Sequence, residues 1–403
     1  MVRSIVVKLG GSVLRDVAAV AEAAEWVKRM AEKGVRVVVV VSALKGVTDE
    51  LQKTVRNLSR SPDPALMAEI LSMGERMSAR LFALALKEHG INAMFIDPAS
   101  ELWPIVAKGD PLNAEPVYEE TRKRVAEGLR RLLDEGVVPV VCGFLGVTDG
   151  GRVVTLGRGG SDTTAVLLGG CLNAEEIVLV KDVPGVFSAD PDLVGEAEVI
   201  DSLDFKEAQA LVRGGAKIIH TKALRYLGKG LRLRIASLKE LVTGEGTVIE
   251  GYESELEVKV ESTNVSMVTV VGNGSEGSDI VGRLSEKLSE KGIKVLASAS
   301  EERSVILYVE EVERLAEKLH STLINERLGK ALSIYGGLVM VTVSGRMLET
   351  SPGIIYRIVK PLAEAGINVY GLLTISSSIR VFVAHEDAEK ACSLIRSVLE
   401  VER

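Results

Sequence analysis

Short apolar runs bounded by glycine or charge recur along the first part of the chain, at Ile5 to Val7, Val35 to Val41, Ala93 to Ile96, Val137 to Val141 and Ile177 to Val180. Between them, residues 17–33, 65–89 and 119–135 place apolar side chains at three- and four-residue spacing, the pattern of amphipathic helices. This alternation predicts an α/β fold with a largely parallel sheet sandwiched by helices. Ligands of such sheets bind beyond the carboxyl ends of the strands. The loops at 8–12, 42–49, 143–151 and 181–192 each follow such an end, so one shared cleft is expected.

Near residue 250 the pattern changes. Strands at 265–271, 293–296 and 305–309, with helices at 279–291 and 311–324, spell a βαββα unit. It recurs as strand 338–343, helix 354–364, strands 367–373 and 379–383 and helix 387–399. GIKVLASASEERSVILYV at 292–309 and GINVYGLLTISSSIRVFV at 366–383 start alike and carry matching strand pairs, which an internal duplication explains economically. These α+β units hold few groups fit for catalysis and suit ligand sensing or dimer formation.

A length of 403 residues allows two or three domains with substantial cores. The formal net charge of −7 and the scattered Lys and Arg disfavour a nucleic-acid or anionic-membrane surface and favour a small-molecule partner. Cys142, Cys171 and Cys392 are far apart in apolar settings, which suggests neither a disulfide framework nor a zinc site. The N-terminal apolar run is too short for a signal peptide and no run of about 18 apolar residues occurs, so a cytoplasmic, soluble protein is expected.

The most informative stretch is TLGRGGSDTTA at 155–165. Glycines followed by Ser161-Asp162-Thr163-Thr164 and an apolar run read as a loop opening a helix, whose unpaired amides attract anions. Arg158 offers a guanidinium fork for a carboxylate or phosphate, and Asp162 the opposite charge four residues on, which together suit a zwitterion. The plainer alternative is a glycine turn with Ser161 or Asp162 as the helix cap. Lys8-Leu9-Gly10-Gly11-Ser12 sets a cation and two glycines at the end of the first strand, where amides and an ammonium can hold outer phosphates, although this is not the Walker pattern. Lys217 in RGGAKIIH is a second candidate cation.

KLGGS at 8–12, VVSALKGVTDEL at 40–51, SMGERMSARL at 72–81, TLGRGGSDTTA at 155–165, DVPGVFSADP at 182–191 and GGAKIIH at 214–220 resemble, in order, the motifs of aspartate kinases of the amino acid kinase family. The resemblance covers nearly the whole chain. It implies a kinase domain at 1–253, a first ACT domain at 262–330, and a second made of 254–261 plus 331–403, with the strand-like segment 255–260 crossing into it. It implies phosphoryl transfer from MgATP to the β-carboxylate of L-aspartate, as the entry to lysine, threonine and methionine synthesis, in a homodimer joined through its ACT domains. No metal ligand from the protein is implied; magnesium arrives with ATP.

On this resemblance Lys8 and Lys217 flank the phosphoryl group, Gly10 and Gly11 donate amides to it, and Asp162 holds the lysines or the substrate ammonium. Arg158 clamps the α-carboxylate, Glu75 accepts from the α-ammonium, and Ser42, Thr48 and Ser161 complete the amino-acid pocket. Each role has a rival: Glu75 with Arg76 and Arg80 as a surface i,i+4 pair, Thr48 as a helix cap, and His220 as a structural residue.

The nucleotide loop departs from the resemblance. Lys181 stands before Asp182 where relatives carry a hydroxyl, Phe187 replaces a tyrosine beside the adenine, and Asp192 reverses the charge of an arginine near the phosphates. Lys181 is therefore a candidate source of the displaced charge. In the first ACT domain, Leu296 and Ala299 stand where an acidic residue and a hydroxyl would hold lysine, which argues against lysine as effector. Ser278, Asp279 and Ser300 suit a small amino acid such as threonine. A kinase for another amino acid such as homoserine, and a catalytically silent amino-acid sensor, remain open on the sequence.

Overall fold

The computed structural model describes residues 4–216, 218–251, 257–271, 277–300, 304–345, 348, 352–375 and 378–400, and the chain divides into two compact units, 1–253 and 254–403. The first unit is built on an eight-stranded sheet in the order Ser202–Asp204, Thr247–Glu250, Arg232–Ala236, Glu176–Val180, Ser4–Leu9, Arg36–Val41, Val138–Cys142, Ala93–Ile96. The six strands from Arg232–Ala236 to Ala93–Ile96 are mutually parallel. Val37 to Val41 and Val138 to Cys142 are all buried, because helices cover both faces of a parallel sheet.

Local chemistry explains where these helices begin. Asp16 caps the Val17–Glu32 helix by accepting from the Ala19 amide at 2.8 Å. Asp63 does the same at Leu66, with Pro64 in the first turn of the long Pro64–Glu88 helix. The single helix expected over 119–135 is two, Tyr118–Glu127 and Leu129–Asp134, broken at Gly128, a residue with poor helix propensity. Strands Arg232–Ala236 and Thr247–Glu250 were not legible in the apolar pattern. Arg234 sits inside the first of them, paired with buried Glu176 at 2.9 Å.

The second unit is a six-stranded antiparallel sheet in the order Val295–Ser300, Ser304–Glu310, Glu257–Val271, Ala331–Ser344, Ser378–Ala384, Gly371–Ile375. Its two halves mirror one another about the long central pair, Glu257–Val271 with Ala331–Ser344. The polar segment Glu261 to Asn264 does not end the first of these strands; register shifts accommodate it. Val258 packs in a core with Val339, Val341, Ile358 and Ile395, while Val268 and Val270 pack with Leu284, Leu307 and Leu319 in another. The two helices expected to start at 279 and 311 begin at Gly277 and Leu315. Among the described residues no helix is long and apolar enough to cross a membrane, and Cys142, Cys171 and Cys392 are free and buried.

Candidate active site

A cleft of about 700 Å³ opens in the first unit beyond the carboxyl ends of its central strands. Lys8, Gly11, Ser42, Thr48, Glu75, Arg158, Ser161 and Asp162 all line it. Lys8 belongs to the first strand itself rather than to the loop after it, in register with Val40 on one side and Leu179 on the other. Its Nζ lies 2.7 Å from Asp162 Oδ1. Lys181, which follows the Glu176–Val180 strand, places Nζ 3.7 Å from Asp162 Oδ2. Burial alone would raise the pKa of Asp162, but Lys8 and Lys181 outweigh it and hold the carboxyl below its usual range.

Asp162 stands in the first turn of the Gly160–Leu172 helix. Neither Ser161 nor Asp162 caps this helix: Gly159 occupies the cap with φ of 68°, and no side chain makes a capping hydrogen bond there. A side chain at Gly159 would run into His220, so backbone strain and space both require glycine there. The helix therefore turns an uncapped, electropositive end toward the cleft, beside exposed Arg158. Gly10 and Gly11 sit in close quarters: an added Cβ would lie 2.9 Å from Lys8 Nζ at Gly10 and 3.3 Å from the Ala43 oxygen at Gly11.

Glu75 is 3% exposed on the inner face of the Pro64–Glu88 helix. Its Oε1 accepts from the Ala43 amide at 3.2 Å, and Oε2 has no hydrogen-bond partner among the described residues. Burial pushes its pKa up to about 7, against the opposing pull of the Ala43 amide. The surface-pair reading fails, because Arg76 and Arg80 bond to Asp97 at 3.3 and 2.7 Å. Gly74 lets the helix close on this loop, an added Cβ lying 2.8 Å from that of Ala43. Thr48 is not a cap either; Gly46, at φ of 83°, opens the Val47–Leu58 helix and Thr48 lies within its first turn.

The residues expected on the nucleotide loop lie apart from this lining. Asp182 and Asp192 are exposed, and the Asp192 amide folds back onto the Asp190 carboxylate at 3.0 Å. Phe187 is half-buried on the two-residue strand Val186–Phe187, which is anchored where Thr247 Oγ1 accepts from the Val186 amide at 2.7 Å. Lys217 lies outside the described residues. In the second unit Ser300 is exposed at the end of its strand, while the side chains of Ser278 and Asp279 fall outside the described set. His220 has the structural role anticipated for it: its Nδ1 accepts from the Lys222 amide at 3.3 Å and burial lowers its pKa.

Lys222 was missed. It is 6% exposed, and its Nζ donates to Ala114 O at 2.8 Å, Leu156 O at 2.9 Å and Asn113 Oδ1 at 3.3 Å, with Glu115 at 3.1 Å. It thus pins the segment leading into Gly157 and Arg158 from behind. Nothing in HTKAL separates this lysine from a solvated one. Among the described residues no group of three or more His, Cys, Asp or Glu is placed to hold a metal ion.

Residues 3–237 match the model of the amino acid kinase family, and residues 333–397 match an ACT domain. The chain is 32% identical to an aspartokinase of Geobacillus stearothermophilus over 91% of its own length and 89% of the relative's. The structure of Escherichia coli aspartokinase III in complex with aspartate and ADP covers 98% of this chain and 100% of its own at 25% identity and a TM-score of 0.56. An aspartate kinase from Synechocystis aligns with 98% of this chain and 69% of its own, at 25% identity and a TM-score of 0.78. With the kinase-type sheet, the cleft at its strand ends and these likenesses together, the chain belongs to the amino acid kinase family, among its aspartokinases.

Proposed function

We propose that this chain transfers the γ-phosphoryl group of MgATP to the β-carboxylate of L-aspartate, releasing ADP and 4-phospho-L-aspartate. The observation that carries the reading is the pairing, in one cleft, of an exposed guanidinium at Arg158 with a buried, half-satisfied carboxyl at Glu75. Together they suit the carboxylate and ammonium of an amino acid. The aspartate complex of the Escherichia coli relative supports the same substrate.

Arg158 clamps the α-carboxylate and Glu75, once ionised, accepts from the α-ammonium, with Ser42, Thr48 and Ser161 around them. The β-carboxylate is already an ionised nucleophile, so no general base is required. Its oxygen forms a bond to the γ-phosphorus while the bond to the β–γ bridging oxygen breaks and its electron pair leaves with ADP. The protein positions these groups and neutralises the charge spread over the phosphoryl oxygens. Lys8, with the amides of Gly10 and Gly11, holds that group on one side, the family resemblance assigns Lys217 to the other, and Asp162 keeps Lys8 in place. Magnesium would enter with the nucleotide, whose adenine Phe187 would flank and whose phosphates would pass near Asp182 and Asp192.

For the second unit we propose two ACT domains, 262–330 and 254–261 plus 331–403, that dimerise and bind an amino-acid effector. The packing of Val258 among residues of the second core favours this division. The test of the catalytic reading is to supply MgATP with aspartate, homoserine or neither, follow ADP, and trap acyl phosphate with hydroxylamine. Hydroxamate with aspartate is expected. ADP with homoserine and no hydroxamate would reassign the substrate, and amino-acid binding without turnover would make the chain a sensor.

A further inference from the structure

Asp162 holds two cations, one on each carboxylate oxygen. Lys8 is fixed at 2.7 Å and lines the amino-acid cleft, whereas Lys181 stands at 3.7 Å, more exposed, and is not part of that lining. Its backbone is tied to the sheet, the Lys181 amide donating to Ala236 O at 2.8 Å, so only the side chain has freedom to move. Beyond it, residues 182–200 contain no lysine or arginine and carry carboxylates at Asp182, Asp190, Asp192, Glu196 and Glu198. A polyphosphate entering beside this acidic loop has one cation of that loop to meet.

We infer that Lys181 is a phosphate-contacting residue of this kinase, leaving the loose contact with Asp162 to pair with the β- and γ-phosphate oxygens of the nucleotide. This rests on the kinase reading for its substrate but not on which amino acid is phosphorylated. Burial depresses the Lys181 pKa, Asp162 offsetting part of the effect and Lys8 adding to it, so the ammonium gains from a further anionic partner. Asp162 remains neutralised throughout by Lys8.

The test compares the full-length wild type with Lys181→Met and Lys181→Arg, by calorimetric titration with MgATP and by steady-state turnover. In Lys181→Met, MgATP binding should weaken by about tenfold and kcat fall by about 100-fold, with KM for the amino acid nearly unchanged. Lys181→Arg should recover most of both, since it restores the charge. Thermal melting should agree among the three proteins. If Lys181→Met keeps MgATP affinity and kcat within about twofold of wild type, or if Lys181→Arg is as impaired as Lys181→Met, the inference is overturned. A wild type that binds MgATP but leaves aspartate untouched would defeat the substrate reading alone, because the binding titration still decides the role of Lys181.

Discussion

Glu75→Gln removes one titrating group from the cleft at almost constant volume, and its consequence for stability follows from the burial of that carboxyl. In the folded protein the pKa is raised from 4.5 to about 7. Below pH 4.5 both folded and unfolded chains hold the proton and stability is at its fullest. As pH rises from there the unfolded chain releases its proton first, so stability declines until the folded carboxyl has also ionised, above about pH 7. At ~1.4 kcal/mol per pH unit the decline is about 3 kcal/mol, most of it between pH 5 and 8. Glu75→Gln escapes it. Urea unfolding followed by tryptophan fluorescence suits the measurement, because Trp26 and Trp103 both report on the first unit. The variant should gain on wild type by about 2 to 3 kcal/mol across that range. The same proton must leave before Glu75 can hold an ammonium, so aspartate affinity of the wild type should fall about tenfold from pH 8 to pH 6, and that of the variant should be weak and flat. Parallel stability curves for the two proteins, or a wild-type affinity independent of pH, would refute the placement of this carboxyl.

Two further expectations concern the ion pairs. Lys8→Ala or Asp162→Ala should lower turnover by about 100-fold or more with the circular-dichroism spectrum retained, and near-normal kcat in either would remove its assigned role. Lys222→Met should destabilise the first unit by about 3 kcal/mol and raise KM for the amino acid about tenfold while leaving KM for ATP nearly unchanged, as the support behind Arg158 is lost; equal changes in both KM values would show a general rather than a local effect.

The alternation of apolar runs and helical spacing was enough to read the parallel sheet, the duplicated second unit and the loops after the strand ends, of which those at 8–12 and 42–49 line the cleft and that at 181–192 does not. These features are local or periodic, and the valine runs of a sheet buried on both faces stand out against any background. Residue types also marked Lys8, Arg158 and Asp162 as candidates, because a charge beside glycines can meet an anion or a zwitterion, and all three line the cleft. Glu75 could not be separated from a surface ion pair by spacing alone, since the helix face that turns inward depends on what packs against it. Only the close approach made possible by Gly74 buries it against the Ala43 amide. Lys222 and the position of Lys181 at the second oxygen of Asp162 were likewise decided by tertiary structure. Both depend on contacts between segments far apart in sequence, 66 residues from Lys222 to Leu156 and 19 from Lys181 to Asp162, and on burial that converts ordinary lysines into partners of specific oxygens. Periodicity determines which faces of each element are apolar; the free energy of a buried charge is set by the few atoms that folding brings around it.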